Sequence, residues 1–515
     1  MNRREFILSS AALAIHHKGS AAHAEALRGG PPVSDAALRY RLMHDPLRPQ
    51  YHLLPQAGFV GDPCAPRFYR GLYHVFYHGS FGGRGWHHSA CPDLMHWRHM
   101  PIALSPAANS SDSYGTFTGS VLPEGEGAQV IYTGVTKVSR EQETIRNEGL
   151  KEVQCIAMST DGGLKTWHKL DKPVIEGPPA GMKVVGFRDP FSWKEGDTWY
   201  VGVGSGFSQI GGAVLLYRSK DARHFEYLHP LATGTWNGEQ SSNPVPSGEM
   251  WECPDFFPLG DKHVLIYSSE HTTFWEVGEY DDHEHRFHAK RKGILDWGAF
   301  YAPKTMLDGK RRRILWGWVQ ETRSSQEIEA AGWAGCISLP RVLTLGHEGE
   351  LQMEVASELA SLETNRVMVS SPKDPSALKD ALSRAIIHNR AGVISCVFEV
   401  GESSFGLNLR SGSQGNADSL LSITYNGANN QPHIAVGEKE VPLSPDSDGF
   451  SSLHICIDAS VIETIVDKRQ AITTRCYATS GDSGEVHLGW DGAADSLKSL
   501  EVSDIKPISD DRLTS

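Results

Sequence analysis

Three acidic residues stand in surroundings that suit bond cleavage by carboxyl groups. Asp62 lies in Gly58-Phe59-Val60-Gly61-Asp62-Pro63, Asp189 in Gly186-Phe187-Arg188-Asp189-Pro190, and Glu252 in Trp251-Glu252-Cys253-Pro254-Asp255. The chain has 62 acidic residues, most of which we expect in solvent, but these three are set among aromatic residues, glycine and proline. Glycoside hydrolysis needs two carboxyl groups that flank one bond, one as acid and the other as nucleophile or base. The three acids are therefore the candidates for this chemistry.

The elements that must position these acids are predicted to be blades of a propeller. Five β-rich runs follow turns rich in Gly, Asp or Lys and recur about every 50–70 residues, a spacing typical of propeller blades. They are 72–77, 129–132, 199–203, 263–267 and 313–318. Equivalent positions of successive blades converge on the propeller axis, so acids far apart in sequence can share one pocket. The alternative is a large β-sandwich whose spacing is accidental.

A second repeated pattern follows three of these runs. It consists of Ser, Asp and an aromatic residue: Ser89…Asp93…Trp97, Ser159-Thr160-Asp161…Trp167 and Ser219-Lys220-Asp221…Phe225. We interpret it as the same hairpin edge in successive blades. The pattern supports a five-bladed propeller over residues 39–345.

The chain changes character after this block. Residues 346–386 are predicted to be a linker with short helices at 354–363 and 374–386. From 387 to 503, seven short strand-like runs separated by Gly, Asn, Asp and Ser turns predict a β-sandwich, and the polar tail 504–515 is predicted to be loose. The predicted fold class is therefore all-β, a five-bladed β-propeller followed by a C-terminal β-sandwich, whose second domain either binds sugar or stabilises the first.

Composition and charge restrict the partners. The net charge of −13 argues against nucleic acid or an anionic membrane, because a phosphate binder needs a basic surface. The eight cysteines are spread singly, which predicts neither a dense disulfide framework nor a zinc site, although isolated pairs stay open. We expect no cofactor and no metal. The sequence does not indicate an oligomeric state.

The first 24 residues have the features of an export signal. Asn2-Arg3-Arg4-Glu5-Phe6-Ile7 is a twin-arginine pattern, an apolar run from Phe6 to Ile15 follows, and Ala22-His23-Ala24 offers a cleavage site. A bilayer crossing takes about 20 apolar residues, so this run is too short to anchor the protein. The sequence predicts a periplasmic or secreted protein without a membrane anchor once the signal is removed.

An ordered set of motifs resembles glycoside hydrolase family 32, the invertases, exo-inulinases and levanases. The resemblance covers about residues 39–500 and includes the opening segment that ends in Asp62-Pro63. The other motifs are Phe117-Thr118-Gly119-Ser120, Arg188-Asp189-Pro190, Glu252-Cys253-Pro254-Asp255, Leu295-Asp296-Trp297-Gly298-Ala299-Phe300-Tyr301-Ala302, Trp316-Gly317-Trp318 and Ile457-Asp458-Ala459-Ser460-Val461-Ile462-Glu463. Such a set is more specific than any single tripeptide.

The resemblance implies the same propeller and sandwich, a retaining mechanism and a β-fructofuranoside substrate, either sucrose or a fructan such as inulin or levan. Asp62 would be the nucleophile, Glu252 the general acid and base, and Asp189 the stabiliser of the transition state. The substrate-binding residues implied are Arg188, His78, Trp86, Phe117, Thr118, Cys253 and Trp297. Arg188 is expected to keep Asp189 ionised by pairing with it. The alternative for these two residues is an ordinary buried ion pair without a role in catalysis.

The sequence departs from the family pattern beside the nucleophile. Gly61 replaces an asparagine, Cys64-Ala65 replace Asn-Gly, Phe59 replaces tryptophan and His78 replaces glutamine. One lost hydrogen bond is worth about 0.5–1.5 kcal/mol, which weakens binding about ten-fold without removing the chemistry. We expect Gly61→Asn to lower KM unless neighbours such as His78 fill the space. A fructosyltransferase and a fructan-binding protein without activity remain alternatives.

Other candidate residues are less specific. Asp281-Asp282-His283-Glu284-His285 would suit a cation or a solvated loop. Five tryptophans would suit sugar stacking or core packing: Trp86, Trp251, Trp275, Trp297 and Trp333.

Overall fold

The computed structural model describes residues 34–123, 128–370, 372, 374–401, 404–412, 418–427, 432–443, 445, 448–477 and 484–513. Within these ranges the chain forms two successive all-β units, one built of five sheets and the other of two. None of the helices in this part of the chain combines the length and apolar character that a bilayer crossing requires. The predicted signal segment, residues 1–24, lies outside the described residues.

The five sheets of the first unit are blades of a propeller, each an antiparallel meander. Blade 1 contains β1 (Gly58–Pro63), β2 (Arg67–Tyr69), β3 (Leu72–Gly79), β4 (Gly85–Cys91) and β5 (Arg98–His99); blade 2 contains β6 (Gly115–Leu122), β7 (Ala128–Lys137), β8 (Leu150–Ser159) and β9 (His168–Lys169). Blade 3 contains β10 (Phe187–Glu195), β11 (Thr198–Phe207), β12 (Gly211–Ser219) and β13 (Glu226–Thr233); blade 4 contains β14 (Glu252–Leu259), β15 (Lys262–Ser269), β16 (Thr272–Asp281) and β17 (Arg286–Asp296). Blade 5 contains β18 (Phe300–Leu307), β19 (Arg313–Val319), β22 (Arg341–Leu345) and β23 (Leu351–Val355), with the short β20 (Trp333–Ala334) and β21 (Cys336–Ile337) between β19 and β22.

The five blades close into a ring. The first strands lie side by side in the order β6, β10, β14, β18 and β1, so they line the centre. β20 leaves blade 5 and pairs in parallel with β1, Gly58 opposite Trp333 and Phe59 opposite Ala334. This pairing joins the last blade to the first, and the predicted five-bladed propeller is confirmed.

The repeated Ser-Asp-aromatic pattern is the turn after the third strand in blades 1, 2 and 3. In each turn the aspartate accepts backbone hydrogen bonds from residues two to five positions later: Met95 and His96 for Asp93, Gly163, Lys165 and Thr166 for Asp161, and Arg223 and His224 for Asp221. Such turns satisfy backbone donors that the sheet leaves unpaired. The repeated pattern therefore corresponds to the same aspartate-stabilised turn in three blades.

The second unit is a sandwich of two six-stranded sheets. One sheet has the order β24 (Glu363–Ser370), β35 (Leu497–Ile505), β26 (Ala391–Glu399), β31 (Phe450–Asp458), β32 (Val461–Val466) and β33 (Gln470–Arg475). The other has the order β25 (Ile386–Ile387), β34 (Val486–Asp491), β27 (Phe405–Ser411), β28 (Asp418–Asn426), β29 (His433–Val436) and β30 (Lys439–Pro442). A core that includes Ile394, Leu407, Ile423 and Ile455 is fully buried between them.

Three short α-helices complete the described chain. They are α1 (Ala36–His44), which Asp35 caps, α2 (Ser325–Ala331), which has a Ser324–Glu327 capping box, and α3 (Pro375–Leu382), which Asp374 caps. The 3-10 helices are Arg140–Gln142, Ser357–Leu362 and Ala494–Ser496. All eight cysteines are free, so the isolated disulfide pairs left open by the sequence do not form.

Two predicted boundaries differ from the structure. The predicted linker 346–386 contains β23, which pairs with β22 as the outer strand of blade 5, and β24, which pairs with β35 in the sandwich. Only the 3-10 helix Ser357–Leu362 separates these two strands, because both elements complete sheets whose other strands lie elsewhere in the sequence. The tail 504–515 was predicted to be loose, but its described residues, 504–513, pack on the protein: β35 reaches Ile505, and Leu513 is fully buried.

Candidate active site

The first strand of every blade is interrupted at the same place. The pairing between the first and second strands shifts across residues 60–63, 116–119, 188–191, 252–255 and 301–304. Such a β-bulge leaves residues out of the ladder and turns their side chains away from the pleat. These strands line the centre of the ring, and their bulges contain Asp62, Thr118, Asp189, Cys253 and Ala302.

Three of the bulges hold a residue other than glycine at positive φ. The angles are 61° at Asp189, 49° at Cys253 and 51° at Ala302. This conformation costs about 1–3 kcal/mol for a side-chain-bearing residue, so neighbouring contacts must hold it. The amide of Asp189 donates to Thr133 Oγ1 at 2.9 Å and that of Ala302 to Ser268 Oγ at 3.0 Å. Second strands of the blades therefore fix the bulges.

The three candidate acids meet around Cys253. The Cys253 thiol lies 3.9 Å from Asp62 Oδ2 and 3.4 Å from Asp189 Oδ2, and the Cys253 amide donates to Asp189 Oδ2 at 2.9 Å. Glu252 precedes Cys253 in the chain. All three carboxyl-bearing residues are buried. Arg188 lies 3.9 Å from Asp189 and 2.8 Å from the Glu252 carboxyl group, so acids from blades 1, 3 and 4 lie close together.

Both oxygens of the Glu252 carboxyl group accept hydrogen bonds. Arg188 donates to Oε1 from Nη2 at 2.8 Å and from Nε at 3.2 Å, while the Tyr301 hydroxyl donates to Oε2 at 2.8 Å. Donors on both oxygens suit the ionised carboxylate. Arg188 Nε lies 3.9 Å from Asp189, so the predicted Arg188–Asp189 pair is the longer contact and Glu252 is the closer partner.

The side chain of Asp62 is contacted by Thr118 and His78. Thr118 Oγ1 donates to Asp62 Oδ2 at 3.2 Å, and His78 Nδ1 lies 3.8 Å from the same oxygen. Thr118 comes from the bulge of blade 2 and His78 from β3, so the blade-1 acid is oriented from two sheets. The structure brings both predicted residues to the candidate nucleophile.

A recess opens onto Asp62. Its walls include the aromatic residue Phe117 from blade 2 and the pair Phe59–Trp318, whose rings meet edge to face at 5.7 Å. Arg84 and His78 also line it. Aromatic walls with a few polar groups at one end suit a sugar ring, which has apolar faces and a polar rim.

Two predicted substrate-binding residues lie elsewhere. Trp86 is fully buried and donates from Nε1 to the Phe117 carbonyl at 3.1 Å, so it positions the recess wall and does not face a ligand. Trp297 packs against the sandwich core, where its Nε1 donates to Gln470 at 2.8 Å. Both corrections have the same cause: a large aromatic side chain is the natural filler between sheets.

The remaining candidates also serve packing or turns. Trp251 stacks on Tyr267 with ring centroids 3.8 Å apart, and Trp275 and Trp333 are buried in core clusters. In the 281–285 loop, Asp281 accepts the amides of His283 and Glu284 as a turn. No cluster of three or more metal-ligating side chains occurs among the described residues.

The sequence reasoning missed three polar residues that contact the acids or their neighbours: Glu152, Thr133 and Tyr301. Glu152 binds Arg188, and Thr133 binds the Asp189 amide. Tyr301 was visible only as part of a matching motif, whereas Glu152 and Thr133 lie in strands of blade 2 that carry no motif. Their side chains meet the site because blades 2 and 3 are neighbours in the ring.

Comparison with known proteins places this geometry in a family. The model of the glycosyl hydrolases family 32 N-terminal domain matches residues 52–354, and the model of the family 32 C-terminal domain matches residues 358–504. A sucrose-6-phosphate hydrolase of Escherichia coli is 30% identical over 465 residues, which cover 83% of this chain and 89% of that protein.

Solved structures of other proteins have a similar fold. A β-fructofuranosidase of Bombyx mori is 25% identical, with a TM-score of 0.71 over 92% of this chain and 99% of that one. Fructan 1-exohydrolase IIa of Cichorium intybus, 23% identical, shares the fold with a TM-score of 0.75 over 90% of this chain and 98% of that one. The two matched domains together span both units of the structure. The chain therefore belongs to glycosyl hydrolase family 32 and is a glycoside hydrolase.

Proposed function

We propose that this fructose-releasing glycoside hydrolase is a retaining β-fructofuranosidase. Asp62 is the nucleophile, Glu252 the general acid and base, and Asp189 the group that binds fructosyl hydroxyls and stabilises the transition state. The observation that carries the proposal is a set of contacts that joins acids of three blades: the Cys253 thiol contacts both aspartates, and Arg188 lies 3.9 Å from Asp189 and 2.8 Å from the Glu252 carboxyl group. A retaining pair works at a separation of about 5–5.5 Å.

The reaction takes two steps. Glu252 protonates the leaving oxygen while Asp62 bonds to the anomeric carbon, and in the second step Glu252 takes a proton from the water that releases fructose. The hydrogen bonds from Arg188 and Tyr301 to Glu252 support the second step, because they suit the carboxylate that acts as base. For the first step Glu252 carries a proton, so one of its two oxygens must exchange its donor for the leaving oxygen.

The substrate proposed is sucrose or the non-reducing end of a fructan such as inulin or levan. The recess beside Asp62 supports it, since its aromatic walls suit one sugar ring at the reacting end. The names of the relatives support release of fructose and add sucrose 6-phosphate to the compounds to test. Fructose release should be measured from sucrose, sucrose 6-phosphate, inulin and levan, with product analysis at high sucrose to separate hydrolysis from transfer. Absence of turnover on all four would overturn the proposal.

The roles of the two acids are tested with an activated fructoside whose leaving group needs no proton. Glu252→Ala should lose about 10²–10⁴ in rate on sucrose, the usual worth of general acid–base help, but should still form the covalent intermediate from the activated compound. Added azide should then give a fructosyl azide of retained configuration. Asp62→Ala should lose this route. Equal behaviour of the two variants, or an inverted azide product, would contradict the assignment.

We also propose that the protein is exported. The support is the order of signal features at the start of the sequence, a twin-arginine pair, a short apolar run and a small-residue cleavage site. When Arg3 and Arg4 are both replaced by lysine, the protein should no longer be exported, and its activity should be found in the cytoplasm. Unchanged activity outside the cytoplasm in that variant would contradict twin-arginine export.

A further inference from the structure

A fourth carboxyl group lies behind the proposed acid. Glu152, in β8 of blade 2, is fully buried. Its oxygens accept three hydrogen bonds, from the Phe187 amide at 2.6 Å, from Arg188 Nη1 at 3.0 Å and from Thr144 Oγ1 at 3.2 Å. Three donors and no acceptor around one carboxyl group suit its ionised form. A buried charge is costly unless it is paired and hydrogen-bonded, and Arg188 with the two other donors supplies both conditions for Glu152.

Arg188 joins Glu152 to Glu252. One edge of its guanidinium, Nη1, binds Glu152, while Nη2 and Nε bind Glu252 Oε1 at 2.8 and 3.2 Å. A guanidinium is planar and rigid, so fixing one edge fixes the direction of the other. Arg188 is itself buried, which leaves water little share in orienting it. Glu152 therefore acts on Glu252 through position as well as charge.

The charges around Glu252 come from several blades. Arg188 and Asp189 belong to β10, Tyr301 to β18 and Asp62 to β1. The two aspartates both contact the thiol of Cys253, the residue after Glu252. Among these groups Arg188 is the cation, and Glu152, Asp62, Asp189 and Glu252 are the acids. Because Arg188 is shared, an ionised Glu152 weakens its hold on the Glu252 carboxylate and favours the protonated acid.

We propose that Glu152 is a positioning residue of the general acid, which holds Arg188 in place and by its negative charge keeps Glu252 protonated until the leaving oxygen takes the proton. The inference rests on the proposed role of Glu252. It assigns a task to a buried carboxyl group that does not touch the substrate. Burial raises the pKa of Glu152, and the charge of Arg188 opposes this shift.

The test is the pH dependence of kcat/KM for sucrose. In Glu152→Gln the charge of Arg188 is no longer shared with Glu152. The alkaline limb, where the acid loses its proton, should therefore move to lower pH by about one unit, the order of the effect of one nearby charge. Turnover of the activated fructoside to its covalent intermediate should keep its pH profile, because that step needs no proton.

A pair of variants at Thr144 keeps the test decisive if Glu152→Gln does not fold. Thr144→Val removes one donor from Glu152 and should move the limb in the same direction by less, whereas Thr144→Ser keeps the hydroxyl and should leave it in place. A folded Glu152→Gln with an unchanged limb would overturn the inference, as would an unchanged limb in Thr144→Val. If instead Glu252→Ala loses activity equally on sucrose and the activated fructoside, the proposed role of Glu252 fails first.

Discussion

The nucleophile segment has less free space than its glycine suggests. A Cβ at Gly61 would lie 3.0 Å from Cε1 of the Phe59 ring and 3.3 Å from His78 Cβ. Phe59 and His78 thus occupy the volume that the asparagine side chain of related sequences would take. The sequence-based expectation that Gly61→Asn lowers KM therefore needs revision.

We now expect Gly61→Asn to impair the enzyme. Overpacking costs about 1–3 kcal/mol, so kcat/KM for sucrose should fall by about ten-fold through displacement of Phe59 at the recess wall. Gly61→Ala should have a smaller effect of the same sign, since only one carbon is added. The double variant Phe59→Ala/Gly61→Asn, which makes room for the amide, should recover part of the loss. A lower KM in the single variant would show that the ring yields without cost.

Tyr301 offers a residue-scale prediction opposite in sign to that for Glu152. Its hydroxyl donates to Glu252 Oε2 and so stabilises the ionised carboxyl group. Tyr301→Phe should raise the pKa of Glu252 and move the alkaline limb of kcat/KM to higher pH. Steady-state rates between pH 5 and 9 on sucrose measure the shift. Movement of the limb to lower pH would mean that the hydroxyl does not serve the carboxylate.

The site was predictable from sequence mainly where a residue stands in a bulge. Asp62, Thr118, Asp189 and Cys253 follow this rule, because each bulge has a recognisable local sequence. Glu152 reaches the site by pairing with a residue 36 positions later in the next blade, and no local pattern encodes that contact. The predictions for Trp86 and Trp297 were wrong because residue type was used without a local pattern. An aromatic side chain can stack on a sugar or fill a core, and its type alone does not distinguish the two.

At the scale of elements, the five apolar runs identified in the sequence are the second strands, β3, β7, β11, β15 and β19. Residues such as Val264, Leu265 and Ile266 are fully buried, because a second strand is covered by neighbouring blades on both faces. First strands contain the bulges with their Gly, Pro and acidic residues and have no clear apolar pattern. The number of blades was therefore readable, whereas the strands that carry the chemistry were not.

The bulge of blade 2 gives an element-scale prediction. A Cβ at Gly119 would lie 2.1 Å from the Ile131 carbonyl oxygen and 2.7 Å from Tyr132 Cα, both backbone atoms of β7. Gly119→Ala should force β6 away from β7, shift Thr118 from Asp62 and lower both the unfolding midpoint in urea and kcat. Gly406→Ala in β27 is the matched control, because its nearest neighbour would be 3.6 Å away. Equal midpoints for the two variants would contradict this account of the bulge.

At the scale of the whole molecule, the end of the chain ties its two units to the N-terminal segment. The Ile508 amide donates to the Gln50 carbonyl at 3.0 Å, and Arg512 Nη2 donates to the carbonyl groups of Asp45 and Arg48 at 3.0 and 2.7 Å. Leu513 enters a core cluster with Trp333 of β20, the strand that closes the propeller ring. The tail therefore stabilises ring closure.

Leu513→Ala should lower the free energy of unfolding by about 2–5 kcal/mol, the cost of emptying a buried leucine site. Asp510→Ala, at an exposed position of the same tail, is the control and should change it by less than about 0.5 kcal/mol. Urea unfolding followed by tryptophan fluorescence measures both. If the two variants unfold alike, the tail is bound without contributing to stability.

A buried network joins the propeller to the sandwich. His52, before the first blade, contacts Asp458 Oδ2 through Nδ1 at 2.7 Å and Glu463 Oε1 through Nε2 at 3.0 Å, both residues of the sandwich. Arg341 of β22 binds Glu463 at 2.6 Å and Asp296 of β17 at 2.9 Å. Burial alone would lower the pKa of His52, but hydrogen bonds to the two carboxyl groups outweigh it and raise the pKa to about 9.

Because of this network, the contact between the propeller and the sandwich should become less stable at alkaline pH. The folded pKa of His52, about 9, exceeds the unfolded value of 6.5, so its contribution to stability is complete below pH 6.5 and is lost as the pH rises through 9. For Glu463, burial is outweighed mainly by the charge of Arg341, and a pKa lowered to about 2 places its loss in acid, outside this window. The unfolding midpoint in urea should therefore fall between pH 6.5 and 9.

His52→Gln should lower the midpoint at pH 6 and flatten its slope over that range, whereas His347→Gln, at an exposed position, should leave both unchanged. A slope that survives in His52→Gln would assign the alkaline loss of stability to another group.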